Sequence, residues 1–213
     1  LQAPALGISK EILISLPISL FMLVWALALP FAGAWSDRRG RKIAFLVGAS
    51  ITAVGLLATA AAETLLSLLL WRSLTAVGYA IVFITAQGYI TDNTSQENRT
   101  RGMAGFVSAF FGGMLCGAAI GSILAERLGY RATFVISALL GFLAALFVLR
   151  FLERGRGGSL RRLRWADFRL LWGNTRFMAV ALLAAIPSKI ALTGFLYYAV
   201  LLHLKAIGTE QSD

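Results

Sequence analysis

The chain has 213 residues, of which 58% are hydrophobic and only 14% charged. Soluble domains carry about 25% charged residues, so this composition excludes an ordinary water-soluble fold and places the chain in the membrane class. The formal net charge is +10, from 20 Lys and Arg against 10 Asp and Glu. That excess raises a nucleic-acid partner as a rival reading until the placement of the charges is considered.

A hydrocarbon core about 30 Å thick needs about 20 apolar residues as helix. Six stretches meet that need. The first is residues 13–33, which contains Pro17 and Pro30 and runs into "GAWSDRRGRK" at 33–42. The second, 43–62, and the third, 65–91, are separated only by Glu63 and its neighbours, so a tight turn joins them. The polar segment 93–101 follows, with the sequons "NTS" at Asn93 and "NRT" at Asn98. The fourth span, 103–125, carries Cys116 and spaces Gly113, Gly117 and Gly121 four apart. Small residues at that spacing line one helix face and allow close packing. Cys116 reads as a small packing residue; a single cysteine excludes a disulfide framework and a Cys-based metal site. A short turn, "ERLGYR", leads to the fifth span, 132–151.

Residues 153–177 form the longest loop, strongly basic, with an amphipathic piece "SLRRLRWADFRLLW". Leu160, Leu163, Phe168, Leu171 and Trp172 cover one face of it, a pattern suited to the lipid interface. The sixth span, 178–202, holds Pro187 and Lys189 and ends at the lone His203, a boundary residue. Transmembrane strands alternate over about ten residues; these runs are continuous and rich in Leu, Ala and Gly. The fold class is therefore all-α integral membrane, with six transmembrane helices. The repeated spans are too many and too long for a signal peptide.

The basic residues fall on alternate gaps. One side receives Arg38, Arg39, Arg41 and Lys42, then Arg99 and Arg101, then the arginines of 150–176. The other receives only Lys10, Arg127, Arg131 and Lys205. Lys and Arg are retained on the cytoplasmic face, so the crowded side is cytoplasmic and both chain ends face outward. Topology thus accounts for the basicity, and no nucleic-acid partner is expected. The two sequons then lie inside and are chance matches.

In "GAWSDRRGRK", Gly33 allows close backbone approach and Gly40 permits positive φ in a sharp turn. Asp37 sits among four bases and can pair with them or accept from helix N-terminal amides. These residues resemble the signature of the major facilitator superfamily between its second and third helices, G-x-x-x-D-R-x-G-R-K. Gly33, Asp37, Arg38, Gly40, Arg41 and Lys42 match all six specified positions, with Trp35 where the family usually has leucine. "YITDNTSQENRTRGMA" is similar to the family's loop between helices four and five, and the basic loop takes the place of its inter-half connection. The resemblance implies a bundle of this type with six of twelve helices present, two to seven. Residues 1–152 would be the N-terminal half without its first helix, 153–177 the cytoplasmic inter-half loop, and 178–213 the first helix of the second half with an outer tail. It further implies a cytoplasmic latch: Arg41 pairs with Asp92, Arg101 completes the cluster, and Asp37 contacts a helix of the other half, outside this chain.

Two cations fall inside spans. Arg72 lies about eight residues, or roughly 12 Å, into its helix, and Lys189 near the middle of the last. Intramembrane charges are costly and face a wet cavity or a partner. Tyr79 and Phe83 share the Arg72 face, with Gln87 at its edge; Thr193 and Tyr197 share that of Lys189. A polar and aromatic stripe beside a cation suits a small-solute site. The resemblance adds that helices four and seven line the family's central cavity. Arg72, Tyr79, Gln87, Lys189, Thr193 and Tyr197 are thus candidate contacts for an anionic substrate, or the cations pair with acids on absent helices. No Asp or Glu lies inside the spans, so a proton-coupling carboxylate would sit on a helix outside this chain.

The glycine run "GMLCGAAIGS" approaches the antiporter signature of the family's fifth helix, with Ala118 and Ser122 departing from it. Two function classes remain: a secondary transporter of the plasma membrane (bacterial inner membrane), or a sensor built on the same membrane module. Pro17, Pro30 and Pro187 read either as kinks serving a rocking transporter or as ordinary membrane prolines. The expected partners are a small-molecule substrate, the lipid bilayer and the missing helices. No cofactor, metal or enzymatic activity is expected, since no nucleophile–base pair, metal cluster or phosphate loop is present.

Overall fold

The computed structural model describes residues 10–152, with side chains from residue 16, and the isolated positions Leu183 and Pro187. The chain divides into two compact units, Leu1–Arg161 and Arg162–Asp213; the helices described below belong to the first. The span expected at 178–202, the basic loop and the residues Lys189, Thr193, Tyr197 and His203 lie outside the described residues.

Four helices are present among the described residues: α1 (Lys10–Arg39), α2 (Arg41–Ala60), α3 (Leu65–Asn93) and α4 (Arg99–Phe151). Each is long and apolar enough to cross a bilayer. Pro17 and Pro30 sit inside α1 without interrupting it. α2 and α3 are joined by the expected tight turn. Thr64 caps α3: its Oγ1 accepts from the Ser67 amide, and Ser67 Oγ accepts in return from the Thr64 amide, both at 3.2 Å. Two of the helix's orphan donors are thereby satisfied.

The sequence leads one to expect separate fourth and fifth spans; the structure fuses them into α4, with one break. Gly129 adopts φ 81° and ψ 162°, a conformation open to glycine. A straight helix of 53 residues would extend about 80 Å at 1.5 Å per residue. Instead, both ends of α4 lie at one end of the bundle. Near its start, Gly102 abuts Ile90 of α3; near its finish, the Leu149 carbonyl accepts from Lys42 Nζ at 2.9 Å. The chain therefore reverses at Gly129, within the predicted "ERLGYR" turn, and α4 is two antiparallel rods.

α3 packs against α1 and α2, and α2 packs against the returning rod of α4. The contact between α2 and α3 is built from small residues. A Cβ at Gly78 would lie 2.6 Å from the Thr52 amide nitrogen, and one at Gly48 would lie 2.8 Å from Ile81 Cγ2. Ala44 and Ala80 are fully buried in the same core cluster, while Ala53, also fully buried, faces Gly141 of α4. Lipid tails are as apolar as leucine, so helix association in a membrane rests on such close backbone approach. The small-residue face expected at Gly113, Gly117 and Gly121 is not this seam: a Cβ at any of them meets nothing within 4 Å among the described residues. Cys116, expected to be packed, is exposed.

Hydroxyls inside the bundle are satisfied locally. Thr52, Thr59 and Thr75 each donate to the carbonyl four residues back, at 2.9, 2.7 and 2.8 Å. This back-bonding removes the cost of burying an unpaired hydroxyl where no water is available.

Candidate functional site: a charge cluster and an aromatic file

The charge cluster starts from a one-residue break. Gly40 separates α1 from α2 with φ 89° and ψ 144°, a backbone conformation that side-chain-bearing residues rarely adopt. Its amide donates to the Ser36 carbonyl at 3.0 Å and its carbonyl accepts from the Ala44 amide at 3.1 Å. The break turns Arg41 back over the end of α1 and across α3.

Arg41 links three helices. Its Nη1 lies 2.6 Å from Asp37 Oδ1 on α1, and its Nε lies 2.8 Å from Asp92 Oδ2 on α3. Nη1 also donates to Ser36 Oγ at 3.1 Å. The Arg41 side chain is only 11% exposed, against 37% for Asp37 and 33% for Asp92. A dry guanidinium between two half-wet carboxylates keeps strong charge-assisted bonds while leaving the acids solvated. Its plane rests on Gly88 of α3: a Cβ there would lie 2.8 Å from Arg41 Nε. Beneath it, Thr85 Oγ1 donates to Ser36 Oγ at 3.0 Å, and both residues are fully buried.

Gly33 approaches α3 at ordinary distance, 3.5 Å from Ile84 Cγ1 for a built Cβ. Lys42 caps the end of α4 through Leu149. Arg38 and Arg101 form no ion pair among the described residues, so the structure brings Asp37, Arg41 and Asp92 together and leaves these two arginines outside. Arg99 instead reaches α3, donating to the Thr91 carbonyl at 3.3 Å. Ser36, Thr85 and Gly88 were not singled out from sequence. Thr85, Gly88 and Asp92 recur at three- and four-residue spacing on α3, which was the available signal.

A second cluster lies further along α3. The Arg72 guanidinium carbon stands 4.9 Å from the Phe21 ring centre on α1, within cation–π range. Tyr79 packs on Phe21 and Trp25, with centroids 6.0 and 5.9 Å apart. Trp25 meets Phe83 edge-on at 5.5 Å, and Phe83 meets Phe106 and Phe110 of α4 at 5.5 and 5.3 Å. Phe21, Trp25, Ala32 and Ser36 recur at helical spacing, so one face of α1 supplies both clusters. Gln87 is half-buried between them along α3. No carboxylate pairs with Arg72 among the described residues. Trp25 Nε1 is buried and has no hydrogen-bond partner among the described residues.

The sequence profile of the Major Facilitator Superfamily matches residues 2–211. The Inner membrane transport protein YajR of Escherichia coli (strain K12) is 31% identical over 209 residues, covering 90% of this chain and 45% of the relative. Citrate exporter 1 of Aspergillus niger is 32% identical over 157 residues, covering 68% of this chain and 29% of the relative. Multidrug resistance protein 3 of Bacillus subtilis (strain 168) is 25% identical over 146 residues, covering 68% and 28%. This chain spans less than half the length of these relatives. With four apolar helices and a family match over nearly its whole length, it is a multi-pass membrane protein and belongs to the Major Facilitator Superfamily.

Proposed function

We propose that the chain is part of a secondary transporter that moves a small solute by alternating access, in a plasma membrane of bacterial inner-membrane type. The carrying observation is the Arg41 cluster. A single guanidinium ties α1, α2 and α3 through Asp37, Asp92 and Ser36. The side chains around it are charged and poised at the helix ends. We read it as the cytoplasmic latch: closed when the inner side is shut, broken when it opens. Exposed ion pairs contribute about 1 kcal/mol or less each, and more when dry. A few such contacts suffice to bias two rocking states. Asp37 keeps one oxygen available for a helix of the other half.

The substrate reading assigns Arg72, with Tyr79 and Gln87, to an organic anion, and keeps Lys189, Thr193 and Tyr197, which lie outside the described residues, as further candidate contacts. It is supported by Arg72 inside α3, which pairs with no carboxylate among the described residues, and by a relative named for citrate export. The sensor alternative has no observation in its favour, whereas two of the relatives above are named for transport and export. The test is uptake by the protein expressed from its complete gene, in proteoliposomes, against a panel of organic anions and cations. Arg72→Gln and Lys189→Gln should each lower anion uptake and spare cations. Full anion uptake by both variants would sink the anion reading.

A further inference from the structure

We infer that Thr85 is a positioning residue of the latch: its hydroxyl holds Ser36 so that the Ser36 oxygen presents a lone pair to Arg41. The inference deepens the latch reading above and rests on it. Thr85 departs from the way hydroxyls elsewhere in the bundle are satisfied. Thr52, Thr59, Thr75, Thr91 and Ser137 each donate to the carbonyl four residues back on their own helix. Thr85 instead donates across a helix boundary, to Ser36 Oγ of α1 at 3.0 Å. A hydroxyl has a single proton, so this bond takes the place of the back-bond that a mid-helix threonine ordinarily makes. Both residues are fully buried, where losing a polar partner is costly.

The Ser36 oxygen receives a second donor, Arg41 Nη1, at 3.1 Å. A serine oxygen has two acceptor sites and one proton. Thr85 fills one site and Arg41 the other, so the Ser36 proton points away from the cation. Without the Thr85 hydroxyl nothing holds that arrangement. Ser36 then gains by turning to donate to a carbonyl of its own helix, as the threonines above do, and its oxygen swings off Arg41.

Arg41 is sensitive to that change. Its Nε bonds Asp92, and its Nη1 bonds Asp37 and Ser36. The two acids are part-exposed and can exchange the guanidinium for water. Ser36 is fully buried and has no such substitute, so its lone pair fixes where the Nη1 edge rests. Thr85 also lies three residues before Gly88, against which the guanidinium packs. One face of α3 thus supplies both the floor under Arg41 and the hydroxyl that aims its partner.

The experiment is hydrogen exchange at the Arg41 Nε–H, followed by NMR on the purified full-length protein with isotope-labelled arginine Nε. The Arg41 signal is assigned by its loss in Arg41→Lys. Thr85→Val replaces the hydroxyl with a methyl of similar shape. It should speed Arg41 exchange about fivefold, the effect of losing one net buried hydrogen bond. Thr85→Ser restores a hydroxyl and should stay within about twofold of wild type. Arg72, on the same helix, should not change, whereas a packing defect in α3 would speed both. Ser36→Ala adds no bulk and should also speed Arg41 exchange about fivefold or more, so the test survives a misfolded valine variant. Unchanged Arg41 exchange in folded Thr85→Val or Ser36→Ala overturns this inference and leaves the latch reading intact. Equal acceleration at Arg41 and Arg72, or failure of Thr85→Ser to restore protection, does the same. Faster Arg41 exchange without faster cytoplasmic alkylation of a thiol introduced as Gln87→Cys overturns the latch reading, and with it the role of Thr85.

Discussion

Gly88→Ala is the sharpest probe of the proposed latch. The added Cβ would lie 2.8 Å from Arg41 Nε, well inside contact distance. The obstructing atoms are the tip of a flexible side chain, so α3 itself need not move and the guanidinium must leave. It keeps its neighbour Asp37, four residues back, and loses Asp92 and Ser36. Hydrogen bonds to charged groups contribute ~1.5–3 kcal/mol when dry. Asp92 is 33% exposed, so that pair is discounted to about 1 kcal/mol. With the Ser36 bond, which is dry, the closed latch weakens by about 2.5–4 kcal/mol. At about 1.4 kcal/mol per tenfold, the balance of inner-open to inner-closed shifts roughly 60- to 700-fold. The assay is alkylation of a single reporter, Gln87→Cys in a Cys116→Ser background, from the cytoplasmic side of inverted vesicles. Alkylation should speed up by that factor, short of saturation. Arg41→Ala should do the same, and the double variant should equal Arg41→Ala alone, because both remove one interaction. A change under twofold, or full additivity of the two, would refute the reasoning.

Other substitutions test the remaining geometry. Gly40→Ala forces a side-chain-bearing residue to φ near 89° and should destabilise by about 1–2 kcal/mol, read as a lower melting temperature in detergent. Gly78→Ala drives a Cβ to 2.6 Å from the Thr52 backbone. Overpacking of that kind costs about 1–3 kcal/mol, whereas Gly33→Ala, with its nearest atom at 3.5 Å, should be within about 0.5 kcal/mol of wild type. Lys42→Met removes the donor to the Leu149 carbonyl. Hydrogen exchange of the Leu152 amide, which bonds Val148, should then rise severalfold with little change elsewhere.

The apolar rods were legible because a bilayer imposes a length and a composition on any helix that crosses it. The loop at 33–42 was legible because charge, glycine and position coincide there. The Arg41–Asp92 contact was anticipated only through the family resemblance, since 51 residues separate the partners. What stayed hidden is specific to packing between helices. Ser36, Thr85 and Gly88 read as ordinary helix interior until Arg41 is seen lying across them. The glycines at 113, 117 and 121 have the better-looking period, yet the tight seam uses Gly48, Gly55 and Gly78. A helix that is apolar all round gives no moment to say which face meets a neighbour, so period alone could not choose. The Arg72–Phe21 contact is likewise a pairing between two such helices. The α4 break was placed to within a few residues, but its form was not, because nothing in "ERLGYR" forbids helix except the conformation Gly129 adopts.

The account depends most on residues 37–42 and Asp92 standing on the cytoplasmic side as one clasp. A single cysteine introduced as Arg39→Cys in a Cys116→Ser background, probed with a membrane-impermeant maleimide, tests this directly. The thiol should be protected in intact cells and labelled in inverted vesicles. Labelling from outside an intact cell would contradict the orientation and, with it, the latch.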